Sequence, residues 1–152
     1  MALGPVGQIH ISVSDVERSV SFYRDVLGIP HLFTVPGQPM AFFASGDVRL
    51  YLGVPESEEF RSRCVLYFRV DDLDAEVDRV TGLGTTFRDR PHLVHRDGST
   101  ELWMAGCTDP DGHHIILMQE RPAAGRRTAD LVLRSERDAA RAGCGPGRWR
   151  WV

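Results

Sequence analysis

Four side chains join acid–base or metal-ligating chemistry to a place on an expected strand: His10, His92, Glu101 and His114. Imidazole titrates near neutral pH, so His10 and His114 each suit a general base or a hydrogen-bond donor. The same two could hold a divalent metal, joined by Glu101 or His92. Each also has an ordinary alternative, a histidine satisfied by one backbone carbonyl or exposed at a rim. His92 follows Pro91, and Glu101 lies across a turn expected at Asp97-Gly98-Ser99. On adjacent antiparallel strands the two form either an acid–base pair or an exposed salt bridge of little energetic weight. Trp103, Phe42, Phe43, Tyr51 and Tyr67 could line a pocket for a planar ligand, and equally suit an ordinary pleated core. Phe22, Tyr23, Leu66, Phe68 and Ile115 are assigned to the core. The chain has no Gly-rich phosphate loop, GxSxG elbow or HExxH, so kinase, serine-hydrolase and zincin chemistry have no support.

These residues are positioned by a grammar that occurs twice. QIHISVSDVERSVSFYRDVLG (8–28) and VLYFRVDDLDAEVDRVTGLG (65–84) each read as a strand, an acidic turn and an amphipathic helix. Such a repeat implies two copies of one βα-plus-strands unit, each needing a partner to cover its apolar face. In the first strand, Ile9, Ile11 and Val13 alternate with Gln8, His10 and Ser12. Ser14 and Glu17 have the spacing of a capping box, Val16, Val20, Tyr23 and Leu27 recur at helical intervals, and Gly28 fits a helix stop. Strands are expected near 32–35, 40–44 and 48–52, then at 65–70. A helix over 73–82 and strands near 86–88, 93–95, 102–105 and 114–118 complete the second copy. Asp109-Pro110-Asp111-Gly112 carries the type I turn signal, with Pro at the second place and Gly at the fourth.

The resulting organisation is a first module over 1–54, a charged linker over 55–63, a second module over 64–120, and an Arg/Ala/Gly-rich tail over 121–152. The tail reads as a mobile terminus or as a helix docking on the body or a partner. Residues 1–120 hold ten Arg against eighteen Asp and Glu, and no Lys occurs anywhere, so the acidic body argues against a nucleic-acid surface. No run approaches 18 apolar residues, so no membrane partner is expected. The N-terminus lacks the pattern of a secretory signal. Three cysteines without a CxxC pair fit reduced thiols, and together these features point to a cytoplasmic chain.

The HISVSDVERSVSFYRDVLGI and VDDLDAEVDRV segments, with the DPDG turn before an apolar strand, together resemble the vicinal oxygen chelate superfamily. That group includes glyoxalase I, extradiol dioxygenases, fosfomycin-modifying enzymes and bleomycin resistance proteins. The resemblance spans about residues 7–120. It implies an α+β fold of two βαβββ modules, each a curled half-barrel, forming a cleft, and commonly a homodimer. Family enzymes hold a divalent metal (Mn, Fe, Co, Ni or Zn) through one residue from the first and one from the last strand of each module. The motif spacing carries those positions onto Gln8, Tyr51, Val65 and Ile116. Val and Ile have no lone pairs and an amide oxygen is a weak donor, so no metal is expected at this set. Any metal would be displaced toward His10 and His114. If Gln8 faces the cleft, parity also brings Tyr67 and Arg69, and His114 and Met118, to its wall.

Two functions remain open on this basis. One is a glyoxalase-like lyase or isomerase, or a dioxygenase-like enzyme, with a degenerate or displaced metal site and His10, His92 and Glu101 in catalysis. The other is a metal-free protein that sequesters a small molecule, as bleomycin resistance proteins do, through Gln8, Tyr51, Tyr67, Trp103 and their neighbours.

Overall fold

The computed structural model describes residues 2–123, and the expected tail beyond Ala123 lies outside them. The first module runs β1 (Gln8–Ser12), α1 (Val16–Ser21), a wide π-helical turn over Phe22–Val26, β2 (His31–Thr34), β3 (Met40–Ser45) and β4 (Val48–Gly53). The second runs β5 (Val65–Arg69), α2 (Leu73–Gly82), β6 (His92–Asp97), β7 (Thr100–Thr108) and β8 (His114–Pro122), after one 3₁₀ turn at Glu58–Phe60. Each module is a four-stranded mixed sheet. The orders are β1-β4-β3-β2 and β5-β8-β7-β6, with the first strand parallel to the last in each. The fold is therefore α+β with two βαβββ modules, neither sheet closing into a barrel.

Helix starts follow the acidic turns. Asp15 and Asp72 are the N-caps, their carboxylates accepting from the backbone N–H of Arg18 and Ala75 at 3.0 Å each. The Ser14 capping box is thereby corrected: the carboxylate one residue later caps the helix at Arg18 N–H, and Ser14 accepts from Arg18 Nη2 instead. Gly28 ends the first helix at φ +74°, the left-handed position that favours glycine. The strand expected over 86–88 is absent. Segment 84–91 touches β7 through Arg88 N–H to the Gly106 carbonyl at 2.8 Å, while the Asp89 side chain accepts from Gly106 N–H at 3.0 Å. A side-chain carboxylate substitutes there for the next backbone acceptor, and Pro91 has no N–H to continue a ladder.

Ile11, Val13, Ala41, Phe43, Leu50 and Leu52 of the first sheet share one core with Leu73, Ala105, Cys107, Ile115 and Leu117 of the second. Phe22, Leu66 and Phe68 pack on its margin. The modules are joined by polar contacts at their seam. Tyr23 Oη donates to Asp109 Oδ2 at 2.9 Å, and Asp109 Oδ1 accepts from the N–H groups of Asp111 and His113 at 2.9 and 2.8 Å. His113 Nε2–H donates to the Ser12 carbonyl at 2.6 Å while its Nδ1 accepts from Cys64 N–H at 3.0 Å. Both ring nitrogens are used, which defines one neutral tautomer bridging β1 to the start of β5. Sequence reading passed over His113, although its place directly after the DPDG turn marks it as part of the seam.

Candidate functional site

In the first sheet the register places His10 beside Tyr51 and Tyr51 beside Phe42, with Phe33 opposite Phe42 on the edge strand. One row of rings therefore crosses all four strands on the face turned away from the helix. Neighbouring centroids are 4.5 Å apart from His10 to Tyr51, 5.0 Å from Tyr51 to Phe42 and 4.8 Å from Phe42 to Phe33. The Tyr51 and Phe42 planes differ by only 17°. Alternation explains the row, because Ile11, Leu50, Leu52, Ala41 and Phe43 take the opposite face into the core. A parallel row of the polar Gln8 and Arg49 followed by the small Ala44 lies next to it. The Arg49 guanidinium sits 5.7 Å from the Phe42 centroid.

Gly53 makes room for Tyr51. A Cβ built on Gly53 would lie 2.6 Å from Tyr51 Cε2 and 2.8 Å from Cζ. The ring lies over its own strand, and a methyl group would push it off Phe42. Gly53→Ala is expected to cost about 1–3 kcal/mol through overpacking. Urea unfolding checks this, with Gly46→Ala unsuitable as a control because its φ is +58°.

A recess of about 320 Å³ opens at the His10 end of the row, lined by Gln8, His10, Tyr51, Val54, Pro55, Glu56 and Phe60. Four of these belong to the chain leaving β4, so the expected linker forms a wall of the site. It is held there by Ser12 Oγ donating to the Phe60 carbonyl at 3.2 Å and by Ser12 N–H donating to Ser62 Oγ at 2.9 Å. His10 Nε2 is buried without a hydrogen-bond partner among the described residues.

On the second sheet, Val65, Tyr67 and Arg69 of β5 face outward beside His114, Ile116 and Met118 of β8, in register. Tyr67 and Val65 are 57 % and 52 % exposed. The pairing of His10 with Tyr51 matches that of Tyr67 with Ile116, so Tyr51 and Ile116 occupy equivalent places in the two modules. His114 Nδ1 accepts from Arg88 Nη2 at 3.0 Å, which occupies that nitrogen's lone pair.

The remaining expected residues are placed differently. His92 does not meet Glu101: its Nδ1 lies 3.1 Å from the Arg90 carbonyl and 3.3 Å from Asp89, and it pairs in register with Met104. Glu101 faces Arg96 in register and bonds its guanidinium, and its other oxygen accepts from Trp103 Nε1 at 2.9 Å. Trp103 packs against the core on the helix side, capped by the Arg121 guanidinium 4.9 Å from its ring. Both residues thus lie on the face opposite Tyr67 and Ile116. Alternation along β7 puts Glu101 and Trp103 on the side of the buried Ala105 and Cys107, and the bulge between Leu93 and His95 gives Glu101 the partner Arg96 in place of His95. A wider groove of about 650 Å³ between α2 and segment 84–91 is lined mainly by charged and small residues, including Asp74, Asp78, Arg88 and Asp89, and lies away from the aromatic row.

The donor chemistry at the family's metal positions does not fit a metal. Gln8 and Tyr51 offer an amide and a phenol on one sheet, while Val65 and Ile116 on the other offer no lone pair. Among the described residues no group of three or more His, Cys, Asp or Glu side chains is placed to hold one.

Two βαβββ modules, each a four-stranded mixed sheet whose first strand runs parallel to its last, define the fold class of this chain. The chain belongs to the Glyoxalase/Bleomycin resistance protein/Dioxygenase superfamily, whose model matches residues 6–117. Among its relatives, the metallothiol transferase FosB of Staphylococcus epidermidis is 36% identical over 126 residues, covering 74% of this chain and 81% of that protein. A probable lactoylglutathione lyase of Vibrio cholerae is 28% identical, covering 74% and 88% of the two chains. Among solved structures, TnmS3, an antibiotic binding protein from Streptomyces sp. CB03234, is 29% identical with a TM-score of 0.64, covering 81% of this chain and 99% of that one. No helix of the described residues is long and apolar enough to cross a membrane.

Proposed function

We propose that this chain is a metal-independent binding protein that sequesters a planar aromatic small molecule, with the ring row of the first sheet as its floor. The observation that carries the reading is the continuous His10–Tyr51–Phe42–Phe33 row beside a metal position set half composed of aliphatic side chains. The rings stack on one another and turn their edges outward, so a flat π-system meets the row edge to face, and such contacts make no demand on a metal. The likeness to TnmS3, an antibiotic binding protein, supports the same reading. The outward apolar face of Val65 and Tyr67 supports a homodimer, in which a second copy supplies the opposite wall of the cleft. A lyase or isomerase reading draws less support, because the Nε2 of His10 has no exposed surface from which to move a substrate proton.

The test is thermal unfolding of chelator-treated protein against Mn, Fe(II), Co, Ni and Zn, alongside a panel of polycyclic aromatic compounds. A ligand binding only the native state at a hundredfold excess over its Kd adds about 2.7 kcal/mol, a shift of several degrees. Saturable stabilisation by polycyclic compounds with EDTA present is the expected result, with sedimentation in the same buffer reporting the dimer. Stabilisation by one metal and by no aromatic compound would sink the proposal.

A further inference from the structure

Resting on the aromatic-binder reading, we propose that the ligand is an anionic planar aromatic, carrying a carboxylate or comparable acidic group that Arg49 receives at one side of the ring row. Arg49 and Gln8 are register partners on the outward face, immediately before Tyr51 and His10 along the two parallel strands. A ligand lying on Tyr51 and Phe42 therefore has its edge over a guanidinium and an amide. Arg49 makes no salt bridge among the described residues, while Arg18, Arg24, Arg61, Arg79, Arg96 and Arg121 each pair with a carboxylate. Its contact is the Phe42 face, which holds the cation against the platform without neutralising it.

The charge distribution also orients the ligand. β4 runs from Arg49 through Tyr51 and Gly53 to the recess wall, where Glu56 stands beyond Val54 and Pro55. Glu56 makes no salt bridge among the described residues either. The platform is thus cationic at one end and anionic at the other. An acidic group is attracted to the Arg49 end and repelled from the Glu56 end, so the ring system enters one way round. A planar guanidinium binds carboxylates with two parallel hydrogen bonds, which adds geometric selection to charge.

The experiment compares anthracene-2-carboxylate with its neutral isostere anthracene-2-carboxamide by fluorescence titration against the full chain, Arg49→Gln and Arg90→Gln. Arg49 is exposed, so Arg49→Gln is expected to leave the melting temperature unchanged. Arg90, exposed in the groove beside α2, also lacks a salt bridge among the described residues and controls for a general cation effect. The expected result is about tenfold tighter binding of the carboxylate by the parent chain, weakening with added salt. That preference should vanish in Arg49→Gln and persist in Arg90→Gln. Equal binding of the two compounds by the parent chain, or a preference surviving Arg49→Gln, overturns the inference while leaving the aromatic platform standing. Binding of neither compound overturns both the inference and the reading beneath it.

Discussion

Replacing Asp109 with Ala is expected to lower stability by about 3–5 kcal/mol, because one buried carboxylate serves three donors. Asp109 is only 4 % exposed and accepts from Tyr23 Oη, Asp111 N–H and His113 N–H. Removing it strands the Tyr23 hydroxyl in the core and loosens the turn that aims His113 across the seam. For a domain of this size the loss corresponds to a fall of roughly 10–15 °C in melting temperature, read by calorimetry. Asp109→Asn should lose much less, since its amide oxygen still accepts from the two backbone donors and the phenol can turn to accept from the amide. A fall of under 3 °C in Asp109→Ala would show that water replaces the carboxylate and that the seam is not held there.

The same seam sets an alkaline limit. Burial, reinforced by the Asp109 charge, pushes the Cys107 thiol up from 9.0 to about 11. Burial and then Asp109 likewise hold the Tyr23 phenol protonated well above the usual tyrosine range. Both groups keep in the native state a proton that the unfolded chain releases. Their contribution is complete below the unfolded pKa, near pH 9 for the thiol, and declines as pH rises from there toward 11.

Phe42→Ala is the second large effect, and it falls on binding. Phe42 is the middle ring of the row, stacked on Tyr51 on one side and touching Phe33 on the other, with Arg49 over its face. Truncation removes a stacking surface worth about 1–3 kcal/mol per ring and splits the row in two. The expected result is a 10- to 100-fold weaker Kd for anthracene-2-carboxamide by titration calorimetry. Phe42→Tyr should bind nearly as the parent does. Trp103→Ala, in contrast, should lower stability without a selective loss of affinity, because that ring packs toward the helix side. Equal affinity in Phe42→Ala and the parent would move the site off the first sheet altogether.

Local signals were sufficient for the architecture and for most elements, the strand expected over 86–88 excepted. The doubled strand–turn–helix grammar, the Asp109–Gly112 turn and the left-handed Gly28 act over a few residues, where hydrophobic period and turn chemistry determine conformation. Placing Gln8, His10 and Tyr51 on one outward face also needed only the period of a strand and the parallel pairing of the module's first and last strands. The pairs between strands were a different matter. His92 and Glu101 stand well apart along the β6–β7 ladder, and the bulge after Leu93 gives Glu101 the partner Arg96 in place of His95. Phe33 joined Phe42, and Glu56 and Phe60 became a wall, through long-range packing of an edge strand and a linker whose charged composition gave no hint of it. The sequence alone determined two modules, because those follow from local pattern, and the family resemblance added a metal position set whose residue chemistry lacks the donors to fill it. Only the tertiary structure decided which rings form one platform and that His113 bridges the modules, because both depend on register and on contacts between segments far apart in the chain.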